Sequence, residues 1–224
     1  MKLAYYPYAP FEINPGRVSL IDCGHSKNYL DLVWGLQSRS DQVQLAEKDD
    51  ALLQVEKAVY FLGDVSGPVD LSALIKAVTG ELQHSISSEQ TALIVDAAGE
   101  LSRQVLEASY MFDLPLIAKD SMTMVNIFKF AGLHFDPEFL KTPYAIIETV
   151  VKVLAELNSS QLFVLTNVTN YLSLEEFEAL VEIIDASDVK TLIIEHSVQS
   201  RRLTMKDLQY YYIDADFIDS RDWK

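Results

Sequence analysis

The run DCGHSKN, residues 22–28, holds the residue types that grip a phosphate: Gly24, Ser26 and Lys27, just after a strand-like stretch at 17–21. A working phosphate loop needs glycines at both ends of its turn, so that backbone amides face the anion, with Lys and Ser or Thr following. Gly24 is the only glycine between Gly16 and Gly35, so the spacing is wrong. A helix N-terminus at this place can still hold an anion weakly, and Ser26 reads as its N-cap. Efficient nucleotide hydrolysis is not expected. Cys23 and His25 suggest a thiol-imidazole pair beside a helix start that would lower a thiol pKa. No third orienting residue accompanies them, and alternate residues at a strand end point apart. Cys23 reads more simply as a small buried hydrophobe.

Two further positions follow strands. Asn167 stands where many nucleotide hydrolases carry a magnesium-holding carboxylate, and an amide weakens that role. Glu195 ends the next strand, where a carboxylate either faces a functional crevice or serves as a structural hydrogen-bond partner; both readings stand. His84, His134 and His196 are scattered, and structural or solvent-facing roles are expected. Glu175, Glu178 and Glu182 fall on the solvated side of an amphipathic helix.

The elements that must position these residues are legible from periodicity. Residues 1–13 predict two short strands around Pro7 and Pro10, and 17–21 a buried strand followed by a helix through Tyr29, Val33 and Leu36. A strand is expected at 58–62, with turns at Gly63-Asp64 and Gly67-Pro68. Residues 70–157 carry four helical patterns, the second marked by Leu93, Ala97, Leu101, Val105, Ala108 and Phe112, the third ended by Gly132. Residues 161–197 then read as strand, acidic helix, strand, with Ser173 and Glu176 at capping-box spacing. Strands are expected at 162–165, 189–194 and 210–213, in parallel crossovers.

Composition sets the bounds. A 224-residue chain with 49% apolar and 23% charged residues is ordinary globular composition, enough for one folded unit with an insertion. No apolar run is long enough to span a bilayer. The segment MKLAYYPYAPFEI lacks the features of a secretory signal, so a soluble cytoplasmic protein is expected. The formal charge of −15 argues against nucleic acid unless the basic residues gather on one shielded surface.

Three pieces coincide in order: LFVLTNVTNYLSLEEF, LIIEHS with Glu195, and YYIDADFID. With the N-terminal YYPYAPFEI and RVSLIDCGHSKNYLDLV, they resemble the ring-forming adaptation protein of type II-A CRISPR systems, short-chain subgroup, over nearly the whole chain. The resemblance implies an α/β fold with a P-loop-NTPase-like parallel-sheet head lacking a functional Walker loop, and a helical leg inserted in the chain. The head is expected over 1–69 and 158–224 and the leg over 70–157. It also implies a homotetramer that encloses double-stranded DNA, binds its free ends without sequence preference, and acts in spacer acquisition beside the CRISPR integrase proteins and the RNA-guided nuclease. No catalysis, bound nucleotide or membrane partner is implied.

Fourfold symmetry would repeat each lumen-facing cation four times, so that a net-acidic protomer builds a basic bore. Lys119, Lys129, Lys141 and Lys152 are the candidate DNA contacts, with Arg201, Arg202 and Lys206 as second choices. The resemblance also implies calcium held by leg carboxylates. The matching stretch FDLPLIAKDSMTMVNIFK offers only Asp113 and Asp120, with Glu138 and Asp136 beyond, and calcium takes six to eight oxygens. Helix capping accounts for Asp136 more simply. Two other functions fit the residues: an NTP-binding enzyme with a degenerate phosphate site at 24–27, and a protein-only scaffold whose acidic exterior docks basic partners.

Overall fold

The computed structural model describes residues 1–119, 122–197 and 208–222. The chain forms two compact units, Met1–Val69 with Pro137–Lys224, and Asp70–Asp136. The first begins with β1 (Lys2–Tyr5), β2 (Phe11–Glu12), β3 (Val18–Cys23), α1 (Ser26–Leu36), β4 (Val43–Ala46), β5 (Leu52–Leu53), α2 (Val55–Ala58) and β6 (Val59–Gly63). The second contributes α3 (Ser72–Ser85), α4 (Ser88–Ser109) and α5 (Met124–Ala131). The first resumes with a 3-10 turn at Pro137–Leu140, then α6 (Pro143–Glu156), β7 (Leu162–Thr166), α7 (Leu174–Asp185), β8 (Thr191–His196), β9 (Leu208–Ile213) and β10 (Asp219–Asp222).

In the first unit the main sheet runs β10-β9-β3-β8-β7-β6. Every neighbouring pair is parallel except β9 with β10. Parallel strands buried on both faces need continuous apolar runs, and β3, β7 and most of β8 are buried at every position. A smaller antiparallel sheet, β2-β1-β4-β5, covers one face, where Leu3, Phe11 and Leu45 pack with Ile21, Ile194 and Tyr211. Helices α6 and α7 pack together, burying Ile147, Val150, Val151 and Leu154 on one and Phe177, Leu180, Val181 and Ile184 on the other. Helix α7 starts at the expected capping box of Ser173 and Glu176.

Two expectations are corrected. Periodicity extends the helical insertion to residue 157, but the second unit ends at Asp136, because α6 turns its four buried apolar residues into the first unit's core. The N-cap of α1 is His25, whose Nδ1 accepts from the Lys27 backbone N–H at 3.0 Å, and Ser26 is already the first helical residue. Strands β4, β5 and β10 come in addition to the strands that periodicity predicts.

The second unit is thinly packed. Helix α3 buries Leu74, while α4 and α5 bury no residue. Its helix ends are nonetheless well specified. Ser87 and Gln90 form a capping box before α4, Thr123 caps α5, and Gly132 closes α5 at φ 62°, a left-handed conformation that costs glycine little.

Candidate functional site

The ends of β3, β7, β8 and β9 converge where an open parallel sheet ordinarily holds a ligand. Here the polar groups hold one another. Asp22, fully buried, has both carboxylate oxygens 2.7 Å from the Ser197 hydroxyl, which donates to it, and accepts from the Tyr210 hydroxyl at 3.1 Å. Glu195, its register partner on β8, is 1% exposed and accepts from the backbone N–H and the hydroxyl of Thr169 at 3.0 and 2.9 Å. That bond fixes the 3-10 turn Val168–Asn170 that follows β7. Asn167, at φ 55°, donates its side-chain amide to the Tyr29 hydroxyl at 2.8 Å.

The elbow after β3 is filled by protein. The Gly24 N–H donates to the Ile213 carbonyl at 2.7 Å, and the Ser197 N–H donates to the Cys23 carbonyl at 3.1 Å. His196 Nδ1 lies 2.8 Å from that same carbonyl, which requires the proton on that nitrogen. A Cβ on Gly24 would stand 2.9 Å from the Ala215 nitrogen and the Tyr212 hydroxyl, so glycine here serves a close approach of the 212–215 segment. His25 lies against the Phe217 ring at 5.1 Å. Burial, and then the neighbouring Asp22 carboxylate, push the Cys23 thiol up, away from the thiolate a nucleophile needs. Cys23 and His25 therefore do not form the pair their proximity in sequence suggests: one is a core residue, the other a helix cap.

The expected DNA contacts fall into separate groups. Lys119 and Lys129 are exposed in the second unit, with no ion pair among the described residues. Lys141 pairs with Glu138, and Lys152 on α6 pairs with Glu148 at 2.6 Å, both in the first unit. Arg201, Arg202 and Lys206 lie outside the described residues. Of the expected calcium ligands, Asp120 also lies outside them, Asp113 is exposed in the second unit, and Glu138 is engaged by Lys141 in the first. Among the described residues, no three His, Cys, Asp or Glu side chains are placed to share a metal ion.

Sequence reasoning missed Asp22, Thr169, Ser197 and Tyr210 as members of the sheet-end network, and Lys76 as a cation of the second unit. The position of Asp22 at the end of an apolar strand was the available signal for the first. Nothing local distinguishes Lys76: its setting depends on α5, some fifty residues away. Lys76 and Lys129 border one groove of about 520 Å³ between α3 and α5.

Among the described residues no helix is long and apolar enough to cross a membrane. The crystal structure of Stu0660 of Streptococcus thermophilus is similar in fold, with a TM-score of 0.58 at 11% identity over 100% of this chain and 76% of that one. A putative ABC transporter ATP-binding protein from Pyrococcus furiosus gives a TM-score of 0.39 at 10% identity over 94% of this chain and 93% of that one, too distant to bear on the fold. No curated protein sequence matches. The family model described as CRISPR-associated protein (Cas_Csn2) matches residues 37–217, most of the chain, and the protein therefore belongs to the Csn2 family of CRISPR adaptation proteins.

Proposed function

We propose that this protein binds the ends of double-stranded DNA without sequence preference, as a homotetrameric ring, during CRISPR spacer acquisition. The observation that supports it most directly, within the family, is the surface of the second unit. Helix α4 runs 22 residues without a buried one, and its stripe of Leu93, Leu101 and Val105 is open, Leu93 being 64% exposed. An apolar stripe of that length on a soluble unit marks an association surface, and identical copies are the simplest partners. The head in this reading is P-loop-NTPase-like with its phosphate elbow filled by the 212–215 segment, which favours a binding role over nucleotide chemistry.

Ring symmetry resolves the charge problem. A chain of net charge −15 repels duplex DNA unless its cations are concentrated on the inner wall, and contact with phosphate alone leaves sequence unread. Lys119 and Lys129 are the strongest candidates because, among the described residues, no carboxylate is paired with them. Lys141 and Lys152 contribute less while Glu138 and Glu148 hold them, and Arg201 and Arg202 add charge from the first unit's chain. The integrase proteins and the RNA-guided nuclease are the partners in this reading. Calcium takes six to eight oxygens, so an ion in this reading would need backbone, water or neighbouring-chain oxygens beside those of Asp113, Asp120 and Glu138.

Gel shifts with linear and covalently closed circular duplexes of equal length test the reading. The linear form is expected to bind, with log K falling against log salt at roughly −0.9 per phosphate neutralised, and the closed circle is expected to escape capture. Equal capture of both forms removes the ring, as does a single-protomer mass by light scattering at all concentrations.

A further inference from the structure

The α3–α5 groove of the second unit combines features that point to one ligand chemistry. Its apolar lining is Ile75, Val125, Phe128 and Leu133, and its charged residues are Lys76 and Lys129. Both lysines are exposed and free of ion pairs among the described residues. Among the described residues no carboxylate lines the groove, although the chain carries 33 Asp and Glu against 18 Lys and Arg. An acid-free, twice-cationic cleft on so acidic a chain selects an anion. Its apolar lining disfavours a bare hydrated ion and calls for an anion with a flat or greasy body.

We infer that the groove between α3 and α5 takes the unpaired terminal nucleotide of a DNA end, its base against Phe128 and its phosphate between Lys76 and Lys129. Cations along a backbone track with an aromatic ring under the base are the means by which proteins hold single-stranded nucleic acid without reading sequence. A space of about 520 Å³ admits one nucleotide and excludes a duplex, so the groove recognises a frayed or overhanging end where a bore recognises the double helix. The inference rests on the DNA-end reading above and adds a ligand-binding residue, Lys76, to it.

The test uses the full chain and duplexes that are blunt or carry one unpaired 3′ nucleotide, with 2-aminopurine at that terminal position. The overhang is expected to bind about tenfold more tightly than the blunt end, within the range for stacking one base on an aromatic ring, and its fluorescence to be quenched. Lys76→Ala is expected to bring the ratio close to one with molar mass unchanged. Phe128→Leu, which keeps the apolar volume, is expected to remove most of the quenching. Tight blunt-end binding with a wild-type ratio of one overturns the inference while leaving the DNA reading intact. Loss of binding to every duplex overturns both. A change of molar mass in Lys76→Ala also overturns the inference, because the groove is then a subunit contact.

Discussion

The two compact units differ in where their unsatisfied groups are. In the first, the strand ends that would serve a ligand are closed by the protein's own side-chain and backbone groups: Asp22 by the hydroxyls of Ser197 and Tyr210, Glu195 by the N–H and hydroxyl of Thr169, the Gly24 N–H by the Ile213 carbonyl. In the second, helices with good caps leave their apolar faces open, and Ile117 in the stretch after α4 is 93% exposed. In the proposed reading the region complete in itself is the scaffold, and the region left incomplete supplies the contacts.

The largest effect expected from this contrast comes from the same substitution made on each side of it. Leu192 on β8 is fully buried, and Leu192→Ala should cost about 2–5 kcal/mol through reduced burial and the cavity left behind. Leu101 on α4 is 41% exposed, so Leu101→Ala should change protomer stability by no more than about 0.5 kcal/mol while lowering the oligomer's mass at micromolar concentration. Urea unfolding reports the first quantity and light scattering the second. If Leu101→Ala destabilises the protomer as Leu192→Ala does, α4 is a core helix and the contrast fails.

Much of this division is legible in the sequence, and what is not has a physical cause. Long buried strands and capped helices announce themselves locally: the apolar run of β7, the Ser173–Glu176 box and the glycine ending α5 all stand where periodicity and capping chemistry put them. Strands β4 and β5 are four and two residues long, too short for a period to show. Strand β10, DSRD, has little strand propensity. It is held by tertiary contacts, Arg221 donating to the carbonyl oxygens of Pro10 and Ala9 and lying over the Phe11 ring at 5.0 Å. Helix α6 is recognisable as a helix, but periodicity does not say which core its apolar face enters. Gly24 looks like the remnant of a phosphate loop because the segment that crowds it comes from residues 212–215, far along the chain. The candidate site is thus readable in its residue types and hidden in its partners.

A smaller effect sharpens the account of the first unit. Glu195→Ala removes the acceptor for both Thr169 donors, leaving a part-buried backbone N–H without that partner, at about 1–3 kcal/mol. The midpoint of urea unfolding should fall accordingly, and the DNA affinity of the folded fraction should not move. A fully stable Glu195→Ala with impaired DNA binding would reverse the assignment, making this carboxylate a functional group and the sheet end an open site.

The smallest effect separates the cations. Glu148 and Lys152 are an i,i+4 pair on α6 at 2.6 Å, with the lysine side chain 65% exposed; such pairs contribute about 0.3–0.5 kcal/mol, so Lys152→Ala should alter stability by no more than that. Its charge is already balanced by Glu148, and its removal should flatten the salt dependence of DNA binding less than Lys129→Ala does. For Lys129→Ala the slope should drop by about one for each phosphate that is no longer neutralised. The comparison requires both variants at several salt concentrations, because a single affinity mixes the missing phosphate interaction with the altered field of the whole acidic chain. A larger slope change in Lys152→Ala than in Lys129→Ala would move the DNA-facing surface from the second unit to α6 and place the nucleic-acid contacts on the first unit.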